Sequence, residues 1–166
     1  TVRAKHTILA TGAFERHIAF GNNDRPGVMT SSAACAYLNR YAVLPGKKII
    51  VCTNNDSAYY TASILSKAGA QVKLNDARSK IKDELLDATL QNGVTVQMSA
   101  APLKVHGSRK VKSLEIALAE GEKWTRGVNE TCDLVIVSGG WSPIVHLLSH
   151  KGVRPIWNKQ NACFIP

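Results

Sequence analysis

Residues 47–60, KKIIVCTNNDSAYY, run from a basic opening through an apolar stretch into a polar turn and a helix-like segment. This is the order of the first strand, loop and helix of a dinucleotide-binding unit. The chemistry of that unit is to hold a pyrophosphate against backbone N–H groups at a helix amino terminus. Such a loop reads Gly-x-Gly-x-x-Gly/Ala, because glycine turns tightly and leaves the backbone bare. Here the three positions are Thr53, Asn55 and Ala58. The small third residue is kept, and both phosphate-facing glycines are gone. The helix amino terminus still attracts anions, so Asn54, Asn55 and Ser57 remain candidates for nucleotide contact. Asparagine tolerates left-handed backbone, which would let Asn54 and Asn55 preserve the turn. Their side chains stand where a pyrophosphate needs open backbone, and Asp56 adds negative charge; Asp56 or Ser57 is the expected N-cap. The loop therefore reads as a retained frame with binding weakened or lost.

Other candidates lie at strand ends. Asp76 follows the second strand of the unit, about 20 residues beyond the loop, where an acid holds ribose hydroxyls; Arg78 beside it suits a 2′-phosphate. Without the glycines, a turn role for Asp76 is the stronger reading. Thr11 and Gly12 follow a short apolar strand, HTILA (residues 6–10), where glycine lets the backbone lie close to a dinucleotide. Gly139, Gly140, Trp141 and Pro143 lie beyond the carboxyl end of the apolar run 134–137, the side on which open α/β sheets bind ligands. Trp141 is suited to stacking on a ring, packing at an interface, or plugging the local core. His146 and His150 are spaced i, i+4 with no third ligand nearby, so no metal site is expected. No nucleophile elbow, Walker loop or linked Ser/His/Asp set is present, and no catalytic residue is assigned.

The elements that must position these residues follow from periodicity. Thr30 or Ser31 caps a helix with Ala33, Ala34, Tyr37, Leu38 and Tyr41 on one face. A βαβ pattern follows: strand 49–52, helix 57–67 with Ala58, Ala62, Ile64, Leu65 and Ala68 toward the sheet, Gly69 as its stop, and strand 71–74. Ser79 caps a third helix that ends at Asn92-Gly93. The period then changes to two through Val94, Val96 and Met98 and again at Leu114, Ile116 and Leu118, predicting a small antiparallel meander. The run 134–137 reads as a strand buried on both faces. The expected class is α/β: a Rossmann-like FAD/NAD(P)-binding fold with a parallel sheet, helices on both faces and the meander.

Composition narrows the partners. The formal charge is +9, but Lys and Arg are spread along the chain and no aromatic-rich strand accompanies them. A solvated surface is expected rather than nucleic-acid binding. The basic patch 104–112 falls in a hairpin and suits a subunit contact. No apolar run approaches a membrane span. The four cysteines show no CxxC spacing, which suits reduced, buried thiols of a cytoplasmic protein. The chain opens at Thr1 without Met or leader, so it is expected to be excised from something longer.

Three motifs, ILATGAFER (8–16), FGNNDRPGVM (20–29) and VSGGWSP (137–143), together with TNNDSAY, give the chain a resemblance to the alpha subunit of heterotetrameric sarcosine oxidase. That family belongs to the two-dinucleotide-binding-domain flavoproteins, in which one nucleotide domain is interrupted by a second. The resemblance implies residues 1–25 as a remnant of the interrupted domain plus connector, 26–145 as the inserted NAD(P)-binding-like domain, and 146–166 as the return segment. It further implies NAD in the parent subunit, FMN and FAD in the complex, a tetrahydrofolate region elsewhere, and a beta subunit as partner. The parent reaction would be oxidation of sarcosine to glycine, with hydrogen peroxide and formaldehyde or methylenetetrahydrofolate. This chain would have a cofactor-holding and assembly role. Two alternatives stand beside it: the NAD(P)H-binding domain of a flavin-dependent reductase, and an interaction module that binds no nucleotide.

Overall fold

The computed structural model describes residues 3–121 and 123–166. The chain forms two compact units: His17–Gly140, and the described residues up to Arg16 together with Trp141–Pro166. Strand β1 (Ala13–Glu15) belongs to the smaller unit.

The larger unit starts with β2 (Val28–Thr30) and α1 (Ser31–Tyr41). Thr30 is the N-cap, its hydroxyl accepting from the Ala33 N–H at 3.3 Å. The inward stripe of α1 is Ser31 and Ala34, both buried, with Leu38 half-buried one turn on. Tyr37 and Tyr41, expected on that face, are exposed and lie side by side with ring centroids 6.3 Å apart. Next come β3 (Lys48–Thr53), α2 (Ser57–Lys67), β4 (Gln71–Asp76), α3 (Asp83–Gln91) and β5 (Thr95–Gln97). Ser79 does not cap α3. That helix starts after Lys82 without a side-chain cap and carries Asp83 and Glu84 in its first turn, where the helix dipole favours them. On α2, Ala58, Ala62 and Leu65 are buried as expected, Ile64 is half-buried and Ala68 is exposed.

The meander is β6 (Ala100–His106), β7 (Ser113–Glu120) and β8 (Lys123–Thr131), paired antiparallel in that order. The expected first strand of the meander, through Val96, instead pairs parallel with β4 as β5. β9 (Leu134–Ser138) then returns between β2 and β3, giving a parallel sheet of order β2-β9-β3-β4-β5. The connector 20–26 is held along β6: the Gly21 N–H donates to the Leu103 carbonyl and the Val105 N–H to the Gly21 carbonyl, both at 2.9 Å.

The two faces of the sheet are covered differently, which refines the expected helices on both faces. Ile49, Val51, Leu134 and Ile136 pack toward α1, α2 and α3. The alternate residues Ile50, Cys52, Val135 and Val137 pack toward the meander residues Val105, Leu114 and Ile116. Parallel crossovers are right-handed. Steps from β2 to β3, β4 and β5 all move one way across the sheet, so their helices share a face. The return from β5 to β9 moves the other way, and the meander occupies the opposite face. Each of these fully buried aliphatic side chains contributes about 1.5–3 kcal/mol relative to exposure.

In the smaller unit, β10 (Trp141–Pro143) pairs antiparallel with β1, placing Trp141 opposite Glu15 and Pro143 opposite Ala13. A one-turn helix α4 (His146–Ser149) follows. β11 (Ile156–Asn158) and β12 (Cys163–Ile165) then form a hairpin in which Trp157 and Phe164 meet edge to face at 5.1 Å. The strand expected at residues 6–10 is absent: this segment pairs with no described strand, and Ile8 is 93% exposed. Without a ladder partner, its backbone has nothing to hold it as a strand.

Candidate functional site

β3 and β9 end side by side, with Thr53 in register with Ser138. At such carboxyl ends an open α/β sheet presents its ligand crevice. Here the loop between β3 and α2 is filled by its own side chains. The Thr53 hydroxyl is shared between the carbonyls of Asn55 and Ser138, both 3.1 Å away, and accepts from the Asn55 N–H at 3.1 Å. The Asn55 amide nitrogen donates to the Ser138 carbonyl at 3.0 Å and hydroxyl at 3.1 Å. Its amide oxygen accepts from the Ser57 N–H at 3.1 Å and the Ser57 hydroxyl at 2.6 Å.

One side chain thus ties the ends of β3 and β9 together and takes a donor at the start of α2. This corrects two expectations. Asp56 occupies the N-cap position without a side-chain cap bond; the cap bond comes from Asn55. Neither Asn54 nor Asn55 is left-handed: among the described residues, the non-glycine residues with positive φ are Asn22, Ala42, Ser99 and Ala162. The turn is held by side-chain hydrogen bonds rather than by asparagine's tolerance of unusual backbone.

Beside this loop, Asp76 is the last residue of β4, inside the strand rather than after it. Its side chain is fully buried and accepts from the Tyr59 hydroxyl at 2.7 Å, the Arg78 N–H at 2.8 Å and Arg78 Nη2 at 2.8 Å. Arg78 Nη1 reaches back to Asp56 at 2.7 Å. The hydrogen bonds to Asp76 raise the guanidinium above its ordinary range, with Asp56 adding to the effect against a partial loss of hydration. Burial first, then the bond to Asp76, pushes the Tyr59 hydroxyl up, so it stays a neutral donor. The acid and base that are candidates for ribose and 2′-phosphate meet each other, and the Arg78 N–H bond to Asp76 is the local turn contact expected as the stronger reading for Asp76.

Tyr59 and Ser138 belong to this network, and sequence reasoning passed over both. A signal existed for Tyr59, because a tyrosine on the buried face of a helix needs a partner for its hydroxyl. Ser138 had none, because its role comes from the β3–β9 register.

The remaining candidates divide between the units. Gly139 and Gly140 close the larger unit, Gly140 in the left-handed region at φ 95. Thr11, Gly12, Trp141 and Pro143 lie in the smaller unit. There the Thr11 hydroxyl donates to the Ile144 carbonyl at 2.9 Å, and the Ile144 N–H donates to the Gly12 carbonyl at 3.0 Å. Gly12 adopts φ 73, and no heavy atom lies within 4 Å of where a Cβ would stand. Trp141 is 40% exposed, so it does not plug a core. Among the described residues, no group of three or more His, Cys, Asp or Glu is placed to hold a metal.

A parallel βαβ sheet backed by a three-stranded antiparallel insert, with the loop after β3 leading into a helix amino terminus, has the fold of the nucleotide-binding oxidoreductase domains. The chain belongs to the pyridine nucleotide-disulphide oxidoreductase family, whose pattern matches residues 1–161. More narrowly, it is similar to sarcosine oxidase subunit alpha. Against that subunit of Corynebacterium sp. (strain U-96) it is 38% identical, over 99% of this chain and 17% of the relative. Against that of Rhizobium meliloti (strain 1021) it is 33% identical, over 98% of this chain and 16% of the relative. The chain thus spans about a sixth of the length of these curated relatives. Thioredoxin reductase of T. acidophilum shares the fold, with a TM-score of 0.70 at 16% identity over 88% of this chain and 47% of that one.

Proposed function

We propose that this chain is the dinucleotide-fold region of a sarcosine oxidase-like alpha subunit, and that its loop at residues 53–57 is a closed, non-binding frame. The bridging Asn55 side chain carries this reading. In an open loop the pyrophosphate lies on bare backbone; here an amide crosses that path, consumes the Ser57 N–H and is flanked by the Asp56 carboxylate. The residues present do not fit a pyrophosphate. Asp76 and Arg78 are likewise engaged with each other and with Tyr59 and Asp56.

The role that remains is to hold a working cofactor site elsewhere in the parent subunit and to assemble with its partners. In this reading Thr11 and Gly12 face the nucleotide of the interrupted first domain, of which residues 1–25, with the connector, and 146–166 are remnants; Gly139, Gly140, Trp141 and Pro143 are cofactor-binding candidates beyond the end of β9. The parent then carries NAD, works with FMN and FAD in a cytoplasmic heterotetramer containing a beta subunit, and has its tetrahydrofolate region outside this chain. It converts sarcosine to glycine with hydrogen peroxide and formaldehyde or methylenetetrahydrofolate, while this chain by itself oxidises nothing. No helix among the described residues is long and apolar enough to cross a membrane.

Titration calorimetry with NAD tests the loop. The unmodified chain should give no saturable heat, and Asn55→Gly combined with Asp56→Ala should gain binding. Micromolar NAD binding by the unmodified chain, abolished by a bulky residue at Ser57, would overturn the reading in favour of an NAD(P)H-delivering reductase domain.

A further inference from the structure

At the opposite, amino-terminal edge of the parallel sheet, a cavity of about 360 Å³ opens between the starts of β3 and β4 and the end of β8. Its size falls at the lower end of the ~300–1,000 Å³ range of small-molecule sites. Lys48 and Lys73 line it with Glu130 and Thr131, above the apolar Ile50. The charges do not balance. The Lys73 ammonium pairs with Glu130, whereas the Lys48 ammonium donates to the neutral Thr131 hydroxyl. Among the described residues no carboxylate is in ion-pair contact with the Lys48 ammonium. The nearby Asp133 carboxylate is turned instead to the backbone N–H groups of Lys47 and Lys48, at 3.0 and 2.9 Å. Two ammonium groups and a hydroxyl therefore face one carboxylate.

We propose that this cavity binds a small organic carboxylate. The carboxylate head sits between the Lys48 and Lys73 ammonium groups beside the Thr131 hydroxyl, and a short aliphatic body occupies the rest of the cavity. This assignment is independent of whether the loop at residues 53–57 binds a nucleotide, since the two lie at opposite ends of the strands. Glu130 competes with the ligand for Lys73, so it limits affinity.

Pentanoate is a suitable probe, titrated into the full chain and followed by amide chemical shifts, with pentanol and inorganic phosphate as comparators. Saturable shifts are expected at the starts of β3 and β4 and at residues 130–131 with pentanoate, and not with pentanol. Lys48→Gln should weaken binding about tenfold, as loss of one charge-assisted contact does. Glu130→Gln should tighten it by freeing Lys73, a gain that unfolding cannot produce. The proposal is overturned by an absence of saturation, by an unchanged affinity in Lys48→Gln, or by a loss of affinity in Glu130→Gln. It is equally overturned if phosphate binds as well as pentanoate, or if the shifts centre on other surface lysines such as Lys104 and Lys110.

Discussion

Removal of the Arg78 guanidinium should destabilise the larger unit far more than removal of its exposed partner. Asp76 has 0% side-chain exposure, Arg78 32% and Asp56 55%. Breaking a buried ion pair by deleting one partner costs about 3–5 kcal/mol, because an uncompensated charge stays behind. Arg78→Met leaves Asp76 two donors, the Tyr59 hydroxyl and the residue-78 N–H, and the lost cation was itself partly hydrated. Those two facts lower the expectation to about 2–3 kcal/mol. Asp56→Ala removes an exposed pair and should cost less than about 1 kcal/mol. In urea, with a slope of about 1–3 kcal/mol per molar, Arg78→Met should lower the midpoint by about 1–2 M. The readout should be amide exchange at β3 and β4 across the titration, which isolates the larger unit. Adding Asp76→Leu to Arg78→Met should recover part of the loss, since the stranded carboxylate is then gone. Equal costs for Arg78→Met and Asp56→Ala, or no recovery in the double variant, would refute the claim that a buried pair anchors this loop.

Asn55→Gly should cost about 2 kcal/mol from lost hydrogen bonds and added backbone freedom, read by thermal unfolding, even as it opens the loop to anions. Gly127→Ala should destabilise the meander by about 1–3 kcal/mol. A Cβ there would meet the Ile116 carbonyl oxygen at 2.7 Å, and the loss should appear as reduced amide protection in β7 and β8. Burial, with Asp133 adding to it, pushes the Cys132 thiol from 9.0 up to about 12, and burial raises Cys52 as well. The unfolded thiols ionise first, so this stability is complete below pH 9.0 and is lost as pH rises toward about 12. Cys132→Ala should therefore flatten the alkaline limb of a stability–pH curve. Hydrogen exchange should show weak protection at residues 6–10 and strong protection in β3 and β9; equal protection would contradict the absence of a ladder at residues 6–10.

Local pattern carried a good deal of this protein. The apolar runs in β3 and β9, the small residues along α2 and the turn chemistry around Gly69 each specify an element through a period or a backbone preference acting over a few residues. The family resemblance was legible for a similar reason, because motifs such as TNNDSAY and VSGGWSP are contiguous. The state of the loop was half legible. That Asn55 blocks a phosphate path follows from replacing glycine with a side chain, but its destination does not. Asn55 reaches Ser138 because β9 inserts beside β3, a pairing between residues 83 positions apart. The same holds for the Tyr59 hydroxyl that reaches Asp76 from α2, whereas Arg78, two residues further on, is a local partner of Asp76. The strand through Val96 and the segment 6–10 show the converse. Alternating polarity marks a residue run as extended, while its sheet, and whether it becomes a strand at all, depend on which backbone edges the rest of the fold leaves available. Tertiary structure alone decided those partnerships, because hydrogen-bond satisfaction of buried polar groups is a property of neighbours in space.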